Sequence, residues 1–315
     1  MRVLVAGATG VIGRRLVPVL VAAGHEAVGV ARTGGGAGRL AAAGATAVMA
    51  DALDRGQVEQ AVRRARPDAI VTMLTAVPAR VNPRRLARDF ALTNRLRTEG
   101  TRHLLEAGAT VGVRRFISQG LAYAYQPAEK LADEDAPLWT RGTPRQFAPV
   151  LSALRELERL TAPAPGGLVL RLGHLYGPGT AYAPDGSFTR QVRAGKVPLV
   201  GGGNAVPSFT HADDVAGAVV AALDRPDVTG VLNVVDDSPA PLHEWLPAFA
   251  AMLGAPAPKP VPAGLARLAV GGWGAAFLNR LRGADNARAR LRLDWRPRYA
   301  SWADGFAAEL AVERR

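Results

Sequence analysis

Along the first two-thirds of the chain, short runs of Val, Ile, Leu and Ala alternate with longer segments rich in Ala, Leu and Arg. This is the pattern of βαβ units, in which parallel strands covered on both faces read as continuous apolar runs. It predicts strands at Arg2–Ala6, Ala27–Ala31, Ala45–Ala50, Ala69–Leu74, Arg115–Ser118 and Leu168–Leu172. Helices are predicted between them at Val11–Ala23, Arg55–Arg66, Pro83–Ala107 and Arg145–Thr161. In the third, Leu92, Leu96, Leu104 and Leu105 recur at helical spacing. A helix over Asp213–Leu223 and a strand over Gly230–Val235 follow. From Pro239 to Pro262 the chain is proline-rich and reads as broken; helices resume at Ala263–Val270, Asp285–Leu291 and Ser301–Leu310.

The fold class expected is α/β: a Rossmann-type doubly wound parallel sheet with a small, mostly helical C-terminal substrate domain over the carboxyl ends of the strands. Residues 1–172 are expected to form the dinucleotide-binding domain, with 206–236 returning to it, and 173–315 the substrate-binding portion.

Composition narrows the function. The 315 residues are 48% hydrophobic, enough for a core, and include no cysteine, which removes disulfides, thiolate metal sites and a cysteine nucleophile. Val3–Gly7 is too short for a secretory signal, and the apolar stretch Leu268–Leu278 is far below the ~20 residues of a membrane span. A cytoplasmic protein without a membrane partner is expected. The net charge is +12, yet only Lys130, Lys196 and Lys259 are lysines, so the arginines read as coding bias. Their local clusters at 80–102 and 280–298 hold a single aromatic residue each and form no stripe of interleaved aromatic or base-reading residues, so nucleic acid is not expected as a partner. The charge suits acidic or phosphorylated small molecules, and a monomer or homodimer is expected.

Gly7-Ala-Thr-Gly10-Val-Ile-Gly13 follows the first strand and opens the first helix. Gly7 permits the tight turn, Gly10 lets backbone approach a pyrophosphate, and Gly13 lets helix pack on strand. Candidate cofactor contacts are therefore Gly7, Thr9, Gly10, Val11, Ile12 and Gly13. The second strand ends Val28-Gly-Val-Ala31-Arg32-Thr33, with an arginine where NAD enzymes carry an acid, so Arg32 points to NADP(H) over NAD(H). Asp51, next to Ala52, is either the partner of the adenine amino group or a cap of the helix beginning near Asp54.

Gly7–Gly13, Asp51-Ala-Leu-Asp54, Asn94 leading to Gly100-Thr101, and Arg171-Leu-Gly-His-Leu-Tyr-Gly-Pro178 resemble the extended short-chain dehydrogenase/reductase superfamily. His211-Ala-Asp-Asp-Val215 and Leu232-Asn-Val-Val-Asp236 continue the match, which is similar to the NAD-dependent epimerase/dehydratase branch. The resemblance implies further cofactor contacts at Leu74, Thr75, Asn94 and Leu172. It also implies a catalytic Tyr-x-x-x-Lys pair with a Ser or Thr ending a strand. Four positions after Tyr123, Tyr125, Tyr176, Tyr182 and Tyr299 stand Pro127, Glu129, Thr180, Gly186 and Ala303, so no tyrosine has its lysine. By register the pair falls at Val150 and Leu154. The serine position falls at Gly120 after Gln119, or at Ser118 with a one-residue slip.

Candidate catalytic residues are His174, Thr75, Ser118 and Gln119. His174, with an ordinary pKa near 6.5, is the best protein donor; the alternative is a histidine hydrogen-bonded in a βα turn. A phenol beside the substrate's ketone would make a protein acid unnecessary, a pattern that resembles the atypical ketoreductases tailoring aromatic polyketides such as angucyclinones. The expected function is thus an NADPH-dependent ketoreductase of a bulky, aromatic antibiotic-type metabolite. A non-catalytic NADP(H) sensor and a nucleotide-sugar epimerase or dehydratase remain open. Substrate contacts are expected from Gly120, Tyr123, His174, Tyr182, Phe188 and Phe209, with Trp245, Trp273 and Phe277 as a lid. His211 either caps locally or reaches the ligand. Asp213-Asp214 and Asp236-Asp237 read as caps and turns, and no metal is expected.

Overall fold

The computed structural model describes residues 1–313. Its first half contains β1 (Arg2–Ala6), α1 (Gly13–Ala22), β2 (Glu26–Ala31), α2 (Gly34–Ala42), β3 (Thr46–Met49), α3 (Arg55–Ala65) and β4 (Ala69–Thr72). A 3-10 turn at 83–85 leads to α4 (Leu86–Asp89), α5 (Ala91–Arg95), one π-type turn at Leu96–Gly100, and α6 (Thr101–Thr110). Then come β5 (Arg115–Leu121), α7 (Ala148–Thr161), β6 (Gly167–Leu172), β7 (His174–Tyr176), α8 (Ser187–Arg193), β8 (Leu199–Val200) and β9 (Phe209–His211). The chain finishes with α9 (Ala212–Asp224), β10 (Gly230–Val234), α10 (Leu242–Met252), β11 (Pro260–Val261), α11 (Ala263–Asn279), α12 (Ala287–Leu293) and α13 (Trp302–Glu313).

Seven parallel strands form one sheet in the order β10-β6-β5-β4-β1-β2-β3. Val3 of β1 lies between Ala27 of β2 and Ala69 of β4. Strand order runs outward in opposite directions from β1 and β4, so a crevice opens between their carboxyl ends. Alternation along β1 assigns the layers. Val3 and Val5 pack with Leu16 and Leu20 of α1 and Val215 and Val219 of α9; Leu4 and Ala6 pack with Val58 and Val62 of α3 and Leu104 of α6. Both faces are covered, which is why these strands are uniformly apolar.

Buried polar ties fix the far edge. The Arg115 guanidinium donates to the carbonyls of Gly166, Ala222 and Val228, all at 2.7 Å. Arg171 pairs with both Glu158 oxygens at 2.8 Å and donates to the Tyr125 hydroxyl at 2.7 Å. That hydroxyl donates in turn to Asn233 Oδ1 at 2.7 Å, joining β6, α7 and β10.

Several boundaries depart from the hydrophobic reading. α2 opens on Gly34-Gly35-Gly36, each a poor helix former, and is started by Thr33, whose Oγ1 accepts from Gly36 N at 3.2 Å. α10 forms inside the proline-rich stretch and contains Pro247, because Leu242, Trp245, Leu246, Phe249 and Ala250 bury one face. The helix expected over Pro83–Ala107 is divided into the short pieces above. α11 continues beyond Val270 to Asn279 across a break at Gly271, where φ is 76°. Among the described residues, no helix is long and apolar enough to cross a membrane.

Candidate functional site

The glycine loop between β1 and α1 is closed by contacts only glycine tolerates. A Cβ on Gly7 (φ 89°) would lie 2.7 Å from the Met73 carbonyl oxygen, and one on Gly13 would lie 2.2 Å from that of Gly7. Gly10 N donates to the Gly7 carbonyl at 3.0 Å, so the turn folds back on itself. Thr9, Val11 and Ile12 complete the loop. α1 begins without a side-chain cap and with no acid in its first turn. Its free N–H groups and dipole fit a pyrophosphate.

At the outer end, Arg32 is the first residue past β2; it is exposed and makes no ion pair or hydrogen bond among the described residues. The Thr33-capped start of α2 follows at once, a second helix N-terminus that the glycine run concealed. Of the two readings of Asp51, the cap is corrected: Asp54 Oδ1 accepts from Gln57 N at 3.0 Å and caps α3, while Asp51 Oδ1 accepts from Leu53 N at 2.9 Å in a local turn. Asp51 is half-buried next to Ala52, whose carbonyl contacts His103 Nδ1 at 3.0 Å.

At the inner end, Leu74 and Thr75 lie past the end of β4, in a loop held where Ala76 N donates to Thr93 Oγ1 at 3.0 Å. Asn94 follows on α5 with its Oδ1 buried and unpartnered, and Gln119 on β5 has an unpartnered buried Oε1. Leu172 ends β6 with its carbonyl taken by Ala122 N at 2.7 Å. Unsatisfied buried acceptors are rare in folded chains, and a ligand with N–H or O–H groups would satisfy these. The cradle and these acceptors fit a nicotinamide dinucleotide.

Ser118, Gly120 and His174, expected at the reacting end as catalytic or substrate-contacting residues, have the following surroundings. Ser118 is fully buried, and its hydroxyl pairs with Thr161 Oγ1 at 2.9 Å, away from the crevice. Gly120 leaves no room for a serine or a ligand on its Cβ side, since a Cβ there would meet Val169 Cγ1 at 2.9 Å and Arg171 Cγ at 3.1 Å. His174 is at the site but is not an imidazolium. It is 6% exposed, and burial alone pulls its pKa down to about 3, so the ring is neutral at neutral pH. Val150 and Leu154, the positions of the expected pair, are buried in an apolar cluster with Trp139 and Phe147.

The pairing of β7 with β9 sets His174 opposite Phe209. Tyr123 stacks on His174 at 4.4 Å and 11°, and Phe277 meets it edge-on at 5.1 Å. Phe209 lies at 5.9 Å and Tyr182 at 6.1 Å, with Phe188 4.7 Å from Tyr182. The result is an aromatic box around a histidine whose Nε2 has no partner. Trp273, expected in the lid, instead stacks on Phe147 at 4.1 Å beside Trp139; these two residues were not singled out from the sequence. Arg97 was missed as well. Its signal was spacing, for Thr93, Arg97, Thr101 and Leu104 fall on the buried stripe of that helical run.

His211 caps α9, with Nδ1 accepting from Asp213 N at 3.2 Å, and its Nε2 lies 3.1 Å from Glu309. Among the described residues, no group of three His, Asp or Glu side chains is assembled as a metal site.

The NAD dependent epimerase/dehydratase family matches residues 3–234. A Streptomyces protein named 3-diazoavenalumate denitrifying reductase is 48% identical over 316 residues, covering 98% of this chain and 100% of its own. The structure of human epimerase family protein SDR39U1 with NADPH matches with a TM-score of 0.74 at 24% identity, over 99% of both chains. UDP-glucose 4-epimerase from Thermotoga maritima, with UDP-glucose, matches with a TM-score of 0.76 at 21% identity, over 100% of this chain and 99% of its own. At these identities the solved structures establish a shared fold.

Proposed function

The chain belongs to the NAD dependent epimerase/dehydratase family, and from that premise we propose that it is an NADPH-dependent reductase of a small aromatic molecule whose hydride acceptor is a diazo group. NADPH, when bound, supplies hydride from its nicotinamide ring. Residues 1–172 with 206–236 hold the cofactor and 173–315 contribute most of the substrate side. The Gly7–Gly13 loop and the start of α1 hold the pyrophosphate. Arg32 and the start of α2 hold the 2′-phosphate, and Asp51 and Ala52 flank the adenine. Leu74, Thr75, Asn94, Gln119 and Leu172 line the nicotinamide end. Tyr123, His174, Tyr182, Phe188, Phe209 and Phe277 hold a flat substrate and keep water from it.

The observation that carries the reading is the neutrality of the box. His174 carries no proton to give as an imidazolium, and Val150 and Leu154 offer no acid. A ketone that accepts hydride becomes an alkoxide and needs a proton at once. An aryldiazonium group that accepts hydride becomes a neutral diazene, which loses N2 and leaves the arene, so the site need provide no strong acid. The 48% identity to a protein named as a denitrifying reductase supports the same acceptor.

A second reading keeps the ketone, with the substrate's own phenol as proton source; the unpartnered Nε2 of His174 would serve it as a hydrogen-bond donor to the carbonyl. The test is NADPH oxidation, followed by absorbance, with 3-diazoavenalumate and with polycyclic ketones bearing an adjacent hydroxyl. Oxidation matched by N2 release supports the diazo reading, and turnover of the ketones alone replaces it with a ketoreductase. NADPH binding without oxidation by either leaves a sensor, and interconversion of UDP-sugars would restore the epimerase alternative.

A further inference from the structure

α2 is built against its own propensities. Glycine stands at 34, 35, 36 and 38, four of its nine residues, and apart from proline no residue forms a helix less readily. Packing accounts for one of the four. A Cβ on Gly36 would lie 3.3 Å from Thr9 Cγ2 and from Thr33 Oγ1, so the bare glycine lets α2 start close against the loop after β1. On Gly34 and Gly38 a Cβ would meet nothing within 4 Å, and on Gly35 only Arg39 Nη1, at 3.9 Å. Three positions that could carry side chains without a clash carry none. They leave a strip of open backbone with the Arg39 guanidinium folded back beside it.

α2 borders a cavity of about 350 Å³ between itself and α1. Thr9, Arg14 and Val17 wall it on one side and Arg39, Leu40 and Ala43 on the other; among the described residues no acid lines it. The side chains of Arg14 and Arg39 make no hydrogen bond or ion pair among the described residues, whereas Arg15, next to Arg14, is paired with Asp213 at 3.6 Å. Two uncompensated guanidinium groups on one acid-free cavity call for an anion of matching charge. A phosphate monoester, with close to two negative charges at neutral pH, supplies it. Thr9 belongs to the Gly7–Gly13 loop and Arg39 reaches back to the first turn of α2, so the cavity adjoins both parts of the candidate dinucleotide site.

We propose that this cavity seats the 2′-phosphate of NADPH, with Arg39 as its principal ligand, Arg14 as the opposing wall, and the side-chain-free strip of α2 keeping the approach open. This rests on the NADPH part of the reading above, and it extends the choice between dinucleotides from Arg32 to a pair of arginines on facing helices.

The test is calorimetric binding of adenosine 2′,5′-bisphosphate and adenosine 5′-monophosphate, two probes that differ only in that phosphate. The unaltered protein should bind the bisphosphate at least about tenfold tighter, as expected for charge-assisted hydrogen bonds. Arg39→Met should cut that preference about tenfold and Arg14→Met severalfold, each leaving the monophosphate within about twofold. Gly35→Glu sets a carboxylate one turn before Arg39 and should abolish the preference. It should also raise the melting temperature of the ligand-free protein, since glutamate is the better helix former, suits the first turn and pairs with an arginine four residues on. Equal binding of the two probes to the unaltered protein overturns the proposal. So does a preference that survives Arg39→Met or Gly35→Glu, which would leave the phosphate to Arg32 alone. A lower melting temperature for Gly35→Glu also overturns it, because the glycine would then be serving the fold. Failure of the reductase reading looks different: neither diazo compound nor ketone oxidises NADPH, while the preference for the bisphosphate persists.

Discussion

His174 illustrates how far burial changes a side chain that composition alone would make a proton donor. It is enclosed by Tyr123, Phe209, Tyr182 and Phe277, and burial pulls its pKa down to about 3. A rate profile should therefore show no inflection from His174 between about pH 5 and 8, the range in which an unperturbed histidine titrates. His174→Phe should lower turnover by less than the roughly 10²–10⁴-fold that loss of a general acid brings; a loss of that size would make the ring a proton carrier. Arg32 is the opposite case, exposed and without an ion pair or hydrogen bond among the described residues. Arg32→Ala should weaken NADPH by about ten- to a hundredfold, the worth of a charge-assisted bond, with NADH nearly unaffected. Equal losses for both dinucleotides, measured by fluorescence titration, would remove the 2′-phosphate from its role.

At the scale of elements, α1 shows the tightest link between sequence and site. Its approach to β1 depends on Gly13 lacking a Cβ, which would otherwise sit 2.2 Å from the Gly7 carbonyl oxygen. Gly13→Ala should push the helix start away and abolish measurable dinucleotide binding, at a stability cost of about 1–3 kcal/mol as for other overpacked sites; retained affinity in a folded variant would mean the loop does not grip the cofactor. This loop, β1 and β6 were legible because glycine spacing and continuous apolar runs carry direct physical meaning. α2 was not, since three successive glycines argue against a helix and only the Thr33 cap argues for one. α10 was hidden by Pro247, whose local penalty is outweighed by a buried stripe that includes Trp245 and Phe249. The π-type turn that carries Arg97 has no composition signature, and only the position of a charged residue on an apolar stripe hinted at it.

For the molecule as a whole, the aromatic box could not be read from spacing, because its rings come from β7, β9, α8, α11 and two loops and meet only after β7 pairs with β9. The same convergence buries acids. Asp236 is 3% exposed with an unpartnered Oδ2, and burial, aided by Asp237 and Asp214, pushes it up to about 7; Asp214 is pushed up to about 6. A carboxyl raised in the folded state binds its proton more tightly there than in the unfolded chain, where it titrates near 4. Its stabilising contribution is whole below that range, declines as pH rises toward about 7, and is gone above it. Asp236→Asn should therefore melt higher than the parent on the alkaline side of neutrality, by about 2 °C for each kcal/mol recovered, with the gap closing in mild acid. A variant that melts lower at alkaline pH would show the charge to be stabilising.

The strand that closes the edge of the large sheet, β10, reaches it only after the chain has left and returned through β7, α8, β8 and β9. A cut after Leu172 would strip β6 of its neighbour and α1 of the helix α9 packed against it, leaving a long apolar edge open to aggregation. The two halves are thus not interchangeable cassettes. A recombination event that imported a new substrate half would have to bring its own edge strand and its own helix to fit α1. With Arg32 in its proposed place at the 2′-phosphate, point changes around it would alter the choice of dinucleotide without any such exchange, leaving the two specificities free to drift separately while the halves stay bound together in one lineage.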